Sequence, residues 1–309
     1  MRLEKADLAE SVRAKLKTIA RERHESFDFV LVRFAQERLL YRLSRSNYAR
    51  EFVLKGATLL LALTGQRYRP TRDMDLLGFG EDDPWRLEEV FRDLCQVKVE
   101  ADGLEFDPES IQISEIREDR EYQGKRIALK ARLGNAIISL LIDVAFGDAV
   151  KPEIQELDFP TLLDMPTPHV RAYSLESIVA EKFQAMTHLG IANSRMKDFF
   201  DLYEMAARFR FTEETLSEAI RATFERRKTP LPTEPPLALT EEFSGDSIKQ
   251  TQWRGFLGKS EIDAPERLDD VIARIRELIV PILQSISSHT PLGRIWEPGG
   301  PWIDGRDRH

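Results

Sequence analysis

Cysteine is all but missing from this chain: of 309 residues only Cys95 is one. That excludes an internal disulfide and a zinc site built on thiolates. Cys95 follows Leu94 in a helical pattern and reads as a buried structural thiol, not a nucleophile. Histidine is also scarce. His24, His169, His188, His289 and His309 share no ligand spacing, which argues against a metal-dependent phosphohydrolase, because such a site draws on histidine. No run of about 18 apolar residues occurs, so no transmembrane helix is expected. The opening MRLEKADLAESVRAKLK is charged and amphipathic, without the apolar core of a signal peptide, and a cytoplasmic location is the expectation. Internal repeats and a Walker A pattern are absent as well, which argues against a P-loop enzyme. Nor is there an excess of positive charge: 45 Lys and Arg stand against 53 Asp and Glu, a net charge of −8. Proteins that coat nucleic acid draw affinity from phosphate neutralisation and are usually basic. If this protein acts on RNA, it needs a local basic strip.

What is present suits a soluble globular protein. The apolar fraction is 42%, and the length allows two domains or one large domain with additions. The chemistry concentrates between Phe52 and Phe79. An apolar run from Val53 to Leu63 is broken near its start by Lys55-Gly56. Asp73-Met74-Asp75 follows, backed at once by Leu76 and Leu77. On a strand, Asp73 and Asp75 share one face, roughly 7 Å apart at the backbone. Paired carboxylates repel unless a cation separates them, and Mg²⁺ takes hard oxygen ligands from one or two carboxylates plus substrate phosphates. A lone DxD is more often solvated surface. Here it stands at the mouth of an apolar run, with Arg67, Arg69 and Arg72 just ahead of it to neutralise phosphate. Gly56 upstream lets backbone N–H groups approach a phosphate closely.

The rest of the chain reads in order. Lys5 to Ser44 is helical, with Glu37-Arg38 on a solvated face. Asp82-Asp83-Pro84 starts a helix that runs through Leu94. Ile111, Ile113 and Ile116 suggest a strand. Ile127, Leu129, Ala131 and Leu133 alternate with Arg126, Lys130 and Arg132 to give a half-buried strand with one basic face. Gly134-Asn135 is a hairpin turn into an apolar strand, Ile137 to Phe146, that contains Asp143. A carboxylate there is costly unless paired or bound to metal, so Asp143 is a candidate third metal carboxylate, with a salt bridge to a neighbouring arginine as the alternative. The basic face points either with Asp143 or away from it, according to register; facing Asp143, its side chains are phosphate contacts, and the alternative is a solvated strand face balanced by Glu115 and Glu118. Pro152 to Pro168 is a loop with a short strand. Leu175 to Leu189 is a helix capped by Ser174 and carrying Lys182. Arg195 to Phe209 is another, with Lys197, Asp198 and Asp201 near its start. Thr229 to Pro236 is a linker or an extended segment laid on the surface. Helices follow through Trp253 and from Leu268 to Ile282, and the tail from Thr290 to His309 is mobile or draped.

These motifs in this order carry a resemblance. Lys55-Gly56-Ala57-Thr58, Arg69-Pro70-Thr71-Arg72-Asp73-Met74-Asp75, Ile142-Asp143-Val144-Ala145-Phe146-Gly147-Asp148, Glu181-Lys182 and Lys197-Asp198-Phe199-Phe200-Asp201-Leu202 resemble the AbiEii/AbiGii toxin family of nucleotidyltransferases, relatives of the mycobacterial MenT toxins. The likeness spans about Val12 to Phe211, with Glu37 to Ser44 included. It implies an α+β fold: a nucleotidyltransferase-like mixed sheet flanked by helices over residues 1–160, and a mainly helical part over 161–309 that contributes Lys182 and Asp198. It implies a nucleoside triphosphate donor, an RNA acceptor such as the 3′ end of tRNA, and a cognate AbiEi-like antitoxin. Asp73, Asp75 and Asp143 would hold Mg²⁺, or Mn²⁺ in its place. Lys55, Gly56, Ala57, Thr58 and Arg72 would bind nucleotide, and Lys182 and Asp198 would serve transfer. One departure stands out: relatives often carry Gly-Gly or Gly-Ser where this chain has Gly56-Ala57, so a serine hydroxyl is missing unless Thr58 supplies one. A non-catalytic binding protein of the same fold and a phosphohydrolase are the other readings.

Overall fold

The computed structural model describes residues 2–65, 68–119, 122–260, 262–288 and 293–305. They form two compact units. One comprises Met1–Gly65, Pro70–Gly147 and Gln155–Ala172; the other comprises Gln66–Arg69, Asp148–Ile154 and Tyr173–His309.

The first unit opens with helices α1 (Arg2–Arg23) and α2 (Phe27–Ser44). Ser26 caps α2, its hydroxyl accepting from the Phe29 N–H at 3.1 Å. Strand β1 (Phe52–Lys55) runs straight into helix α3 (Gly56–Thr64), and β2 (Asp73–Gly78) follows. Helix α4 (Pro84–Gln96) begins as its residues predict, with Asp83 as cap and proline in the first turn. Then come β3 (Leu104–Asp119), β4 (Tyr122–Leu133) and β5 (Ala136–Phe146), and later β6 (Gln155–Asp158) and β7 (His169–Ala172). These strands make one mixed sheet in the order β3-β4-β5-β2-β1-β7-β6. The β2/β5 and β1/β7 pairs are parallel and the others antiparallel. Ile127, Leu129, Ala131, Leu133, Ile138, Leu140, Ile142 and Val144 point to the buried face, against which α2 and α4 pack. The other face keeps Lys130, Arg132 and Ser139 in water.

Two sequence expectations change here. Glu37 and Arg38 do not form a solvated face; both are buried. Helix α2 is enclosed by α1, α4, β5 and β7, and Glu37 and Arg38 find protein partners there. Glu37 accepts the Leu162 N–H at 2.7 Å, and Arg38 donates to the Pro166 carbonyl at 2.9 Å. The strand predicted around Ile111 is also longer than its apolar residues suggest. It is extended by pairing with β4 across an irregularity between Asp107 and Gln112.

The second unit is mainly helical: α5 (Leu175–Leu189), α6 (Met196–Arg208), α7 (Glu213–Arg226), α8 (Glu241–Gly245), α9 (Ser247–Ser260) and α10 (Leu268–Ser288). Ser174 caps α5 as expected. The tail is not draped throughout. Strands β9 (Arg294–Trp296) and β10 (Trp302–Asp304) pair with β8 (Phe211–Thr212) in a second sheet, order β10-β9-β8. Trp296 is buried, and its indole N–H donates to the Ala206 carbonyl at 2.8 Å. Residues 289–292 and 306–309 of the tail lie outside the described residues.

Candidate active site

In the first unit the site is made by strand register. Lys55 at the end of β1 stands opposite Asp75, and Asp75 stands opposite Asp143. Asp143 in turn stands opposite Arg126 on β4. Paired residues share a face, and residues two apart on a strand share it too. One surface of the sheet therefore carries Lys55, Asp73, Asp75, Asp143 and Arg126, and the register left open by the sequence is settled: Arg126, Lys130 and Arg132 lie on the carboxylate face. Opposite Lys130 and Arg132 stand Asp107 and Glu105. Glu115 is not their counter-charge, because it pairs with Lys125 on the other face, at 3.7 Å. The Glu118 side chain lies outside the described part.

Gly56 is required on two counts. Its φ is +66°, and a Cβ there would meet Asp75 Oδ2 at 2.0 Å. The Asp75 carboxylate thus rests against the first residue of α3, where the helix dipole favours negative charge. Ala57 has no positive φ, so its methyl is accommodated without strain. Thr58 is buried, and its hydroxyl donates to the Asp73 carbonyl at 3.1 Å; this ties α3 to the start of β2.

The arginines ahead of the DxD take separate places. Arg72 is exposed and pairs with Asp28 at 2.8 Å. Arg69 is buried, and its guanidinium donates to both oxygens of Asp201, at 2.6 and 2.7 Å. It is committed there and does not stand open to phosphate. Arg67 lies outside the described residues.

Arg69 and Tyr68 belong to the second unit, in a buried ionic cluster. Lys182 Nζ donates to Asp198 Oδ1 at 2.9 Å and to Asp201 Oδ2 at 2.6 Å. Arg195 Nε donates to Asp198 Oδ2 at 2.6 Å, and the Tyr68 hydroxyl donates to Asp201 Oδ1. Each of the four carboxylate oxygens has a donor, the condition under which a buried ionic group is tolerable. Burial opposes ionisation of Asp201, yet Lys182 and Arg69 overcome it and hold its carboxyl well below the usual range. Burial likewise works against the Lys182 ammonium, but Asp198 and Asp201 raise its pKa. Lys182 is therefore a fixed cation at neutral pH, not a base. Asp198 has its pKa lowered the same way, Lys182 and Arg195 prevailing over burial. Asp201 is the residue sequence reasoning undervalued. Its signal was the three-residue spacing from Asp198, which puts both carboxylates on one side of α6.

Cys95 is half-buried, and burial pushes its thiol up to about 12, so it carries no thiolate at neutral pH.

The donor set on the sheet has the right chemistry for Mg²⁺: hard carboxylate oxygens on one face of adjacent strands. Among the described residues, however, no group of three or more His, Cys, Asp or Glu is already drawn together as ligands. Arg126 stands among these carboxylates. It bonds both oxygens of Asp143, at 2.8 and 2.7 Å, and its Nη2 stands 3.9 Å from Asp73 Oδ2.

A family model described as "Nucleotidyl transferase AbiEii toxin, Type IV TA system" matches residues 38–274. Among solved structures, JHP933 from Helicobacter pylori aligns with a TM-score of 0.46 at 15% identity, covering 82% of this chain and 91% of that one. A candidate nucleotidyltransferase from H. pylori aligns with a TM-score of 0.43 at 15% identity, covering 82% and 94%. No curated protein matches significantly in sequence.

Proposed function

We propose, on the premise that the chain belongs to the AbiEii nucleotidyl transferase toxin family of type IV toxin–antitoxin systems, that it moves a nucleotide from a nucleoside triphosphate to an RNA acceptor and releases pyrophosphate. The acceptor is the 3′ end of tRNA. The family works opposite an antitoxin, here an AbiEi-like protein, and the reaction belongs in the cytoplasm. No helix among the described residues is long and apolar enough to cross a membrane.

The observation that carries this reading is the single sheet face on which Asp73, Asp75 and Asp143 meet beside Lys55. Asp73, Asp75 and Asp143 would hold Mg²⁺ or Mn²⁺, which supplies orientation of the triphosphate and activation of the attacking hydroxyl. Gly56, Ala57 and Thr58 begin α3, whose N-terminal N–H groups suit an anion. Lys55 and Arg72 add positive charge for the nucleotide. Lys182 contributes a fixed cation for charge on the transferring phosphate, and Asp198 holds its ammonium in place.

Incubation with each labelled nucleoside triphosphate, Mg²⁺ and total RNA tests the reading. Label on RNA is the expected result. Free phosphate would indicate hydrolysis instead, and unchanged triphosphate a binding protein. Asp73→Ala and Asp75→Ala should fold normally, since both side chains stand at the surface of the sheet and not in its core, and should lose transfer down to background. Near-normal turnover in either variant would rule out the metal assignment.

A further inference from the structure

Arg126 sits on the carboxylates that the proposed reaction needs. Its two bonds to Asp143 use both carboxylate oxygens, and the same Nη2 faces Asp73. Fork-to-carboxylate pairing of this kind is among the stronger ionic contacts. A divalent cation ligated by Asp143 would take one of those oxygens at about 2.0–2.1 Å. At that distance the cation and the guanidinium compete for the same electron pairs and repel each other. Both cannot hold Asp143 as it is held here.

We propose that Arg126 is a resident counterion that competes with the divalent cation for Asp143 and Asp73, so that metal loading requires the guanidinium to leave. The inference rests on the reading of Asp73, Asp75 and Asp143 as metal carboxylates and adds a control on their occupancy. The geometry suits an exchange. The Arg126 side chain is 39% exposed, so it has room to swing outward. Its backbone stays in register with Asp143, so it returns when the cation departs. While in place it offsets the repulsion between two carboxylates on adjacent strands. Metal-free protein is thereby kept stable, and adventitious loading is disfavoured.

The test is binding of Mn²⁺ alone, without nucleotide, to the full chain, measured by calorimetry and by the Mn²⁺ electron spin resonance signal. Arg126→Ala and Arg126→Gln should bind Mn²⁺ about tenfold more tightly than the unaltered chain, or better, because no charge-assisted bonds need breaking first. Arg126→Lys keeps the charge but loses the fork and should fall between. The melting temperature should rise more on adding Mn²⁺ to the Ala and Gln variants. Equal or weaker Mn²⁺ binding by either variant, with folding verified by circular dichroism, overturns the proposal; if the Ala variant does not fold, the Gln and Lys variants decide. Asp73→Asn and Asp143→Asn separate the two levels. If they weaken Mn²⁺ binding while the Arg126 variants fail to strengthen it, the counterion role alone is wrong. If the chain and every variant bind no Mn²⁺ at millimolar concentration, the metal reading falls and the counterion role falls with it.

Discussion

Glu37 stands in the middle of α2 with its carboxylate sealed from water. Burial pushes its carboxyl up to about 7, against the pull of the Leu162 N–H and of Arg38. A carboxyl whose folded pKa exceeds its unfolded value holds an extra proton in the native state across the interval between them. Stability therefore falls as pH rises from about 4.5 to about 7 and then levels off. One pKa unit is 1.36 kcal/mol, so the effect is at most about 3 kcal/mol. Chemical denaturation between pH 5 and 8 should show this decline in the unaltered chain, and Glu37→Gln should flatten it. Parallel curves for the two proteins would refute the assignment. Gly56 gives the second residue-scale prediction. Gly56→Ala faces both a left-handed φ and the Asp75 carboxylate at 2.0 Å from the new methyl. The backbone strain alone costs about 1–2 kcal/mol, and Asp75 must move. Transfer should drop to the level of Asp75→Ala while the protein still folds with a lowered melting temperature. Retained transfer would show that the Asp75 position is not critical. The sequence marked Gly56 as special, but for phosphate approach. That the nearest neighbour is a carboxylate depends on β1/β2 register, which no local pattern encodes.

At the scale of elements, capping and periodicity were dependable. Ser174 and Asp83-Pro84 start helices where they should, and Gly134-Asn135 turns β4 into β5. The tail was harder to read. Its strands are three residues each, too short for alternation to show, and their order comes from what they dock on. Besides the buried Trp296, the Trp302 indole donates to the Leu278 carbonyl at 3.0 Å. Arg294 pairs with the buried Glu213 at 3.3 Å. Truncation after Ser288 should thus destabilise the protein. Loss of one buried tryptophan costs about 3–5 kcal/mol, and Glu213 is left without the Arg294 guanidinium. Thermal melts of the truncated chain and of Trp296→Ala should both show the loss. An unchanged melting temperature would mean that these strands contribute nothing to the core.

For the whole molecule, net charge sets a condition on the proposed RNA acceptor. At −8, the chain as a whole repels a polyanion, so binding depends on where the positive side chains stand. Lys130 and Arg132 are exposed on the same sheet face as Asp143. They lie about 13 and 20 Å along β4 from Arg126 at 3.3 Å per residue. That places them where an acceptor strand leaving the carboxylates could run. Reversing both charges, Lys130→Glu with Arg132→Glu, should weaken RNA binding and flatten its salt dependence by about one unit of slope per lost contact. Apparent affinity for nucleoside triphosphate should hardly change. An unchanged slope would mean that Glu105 and Asp107 already neutralise this strip and that the acceptor binds elsewhere.

By itself the sequence determined the α+β composition, the hairpin that joins β4 to β5, and the set of motifs that mark the family. Those properties are local: they depend on residue type, spacing of two or near 3.6, and turn chemistry. Only the tertiary structure decided which charges face each other. Arg126 meets Asp143 because two strands pair in one register. Arg69 meets Asp201 across 132 positions of chain. Glu37 and Arg38 are buried because other elements close over α2. A slip of one residue in β4 would turn Arg126 away from Asp143 and send it into the core. The energy that prevents the slip comes from Ile127, Leu129 and Leu133, which are buried on the opposite face.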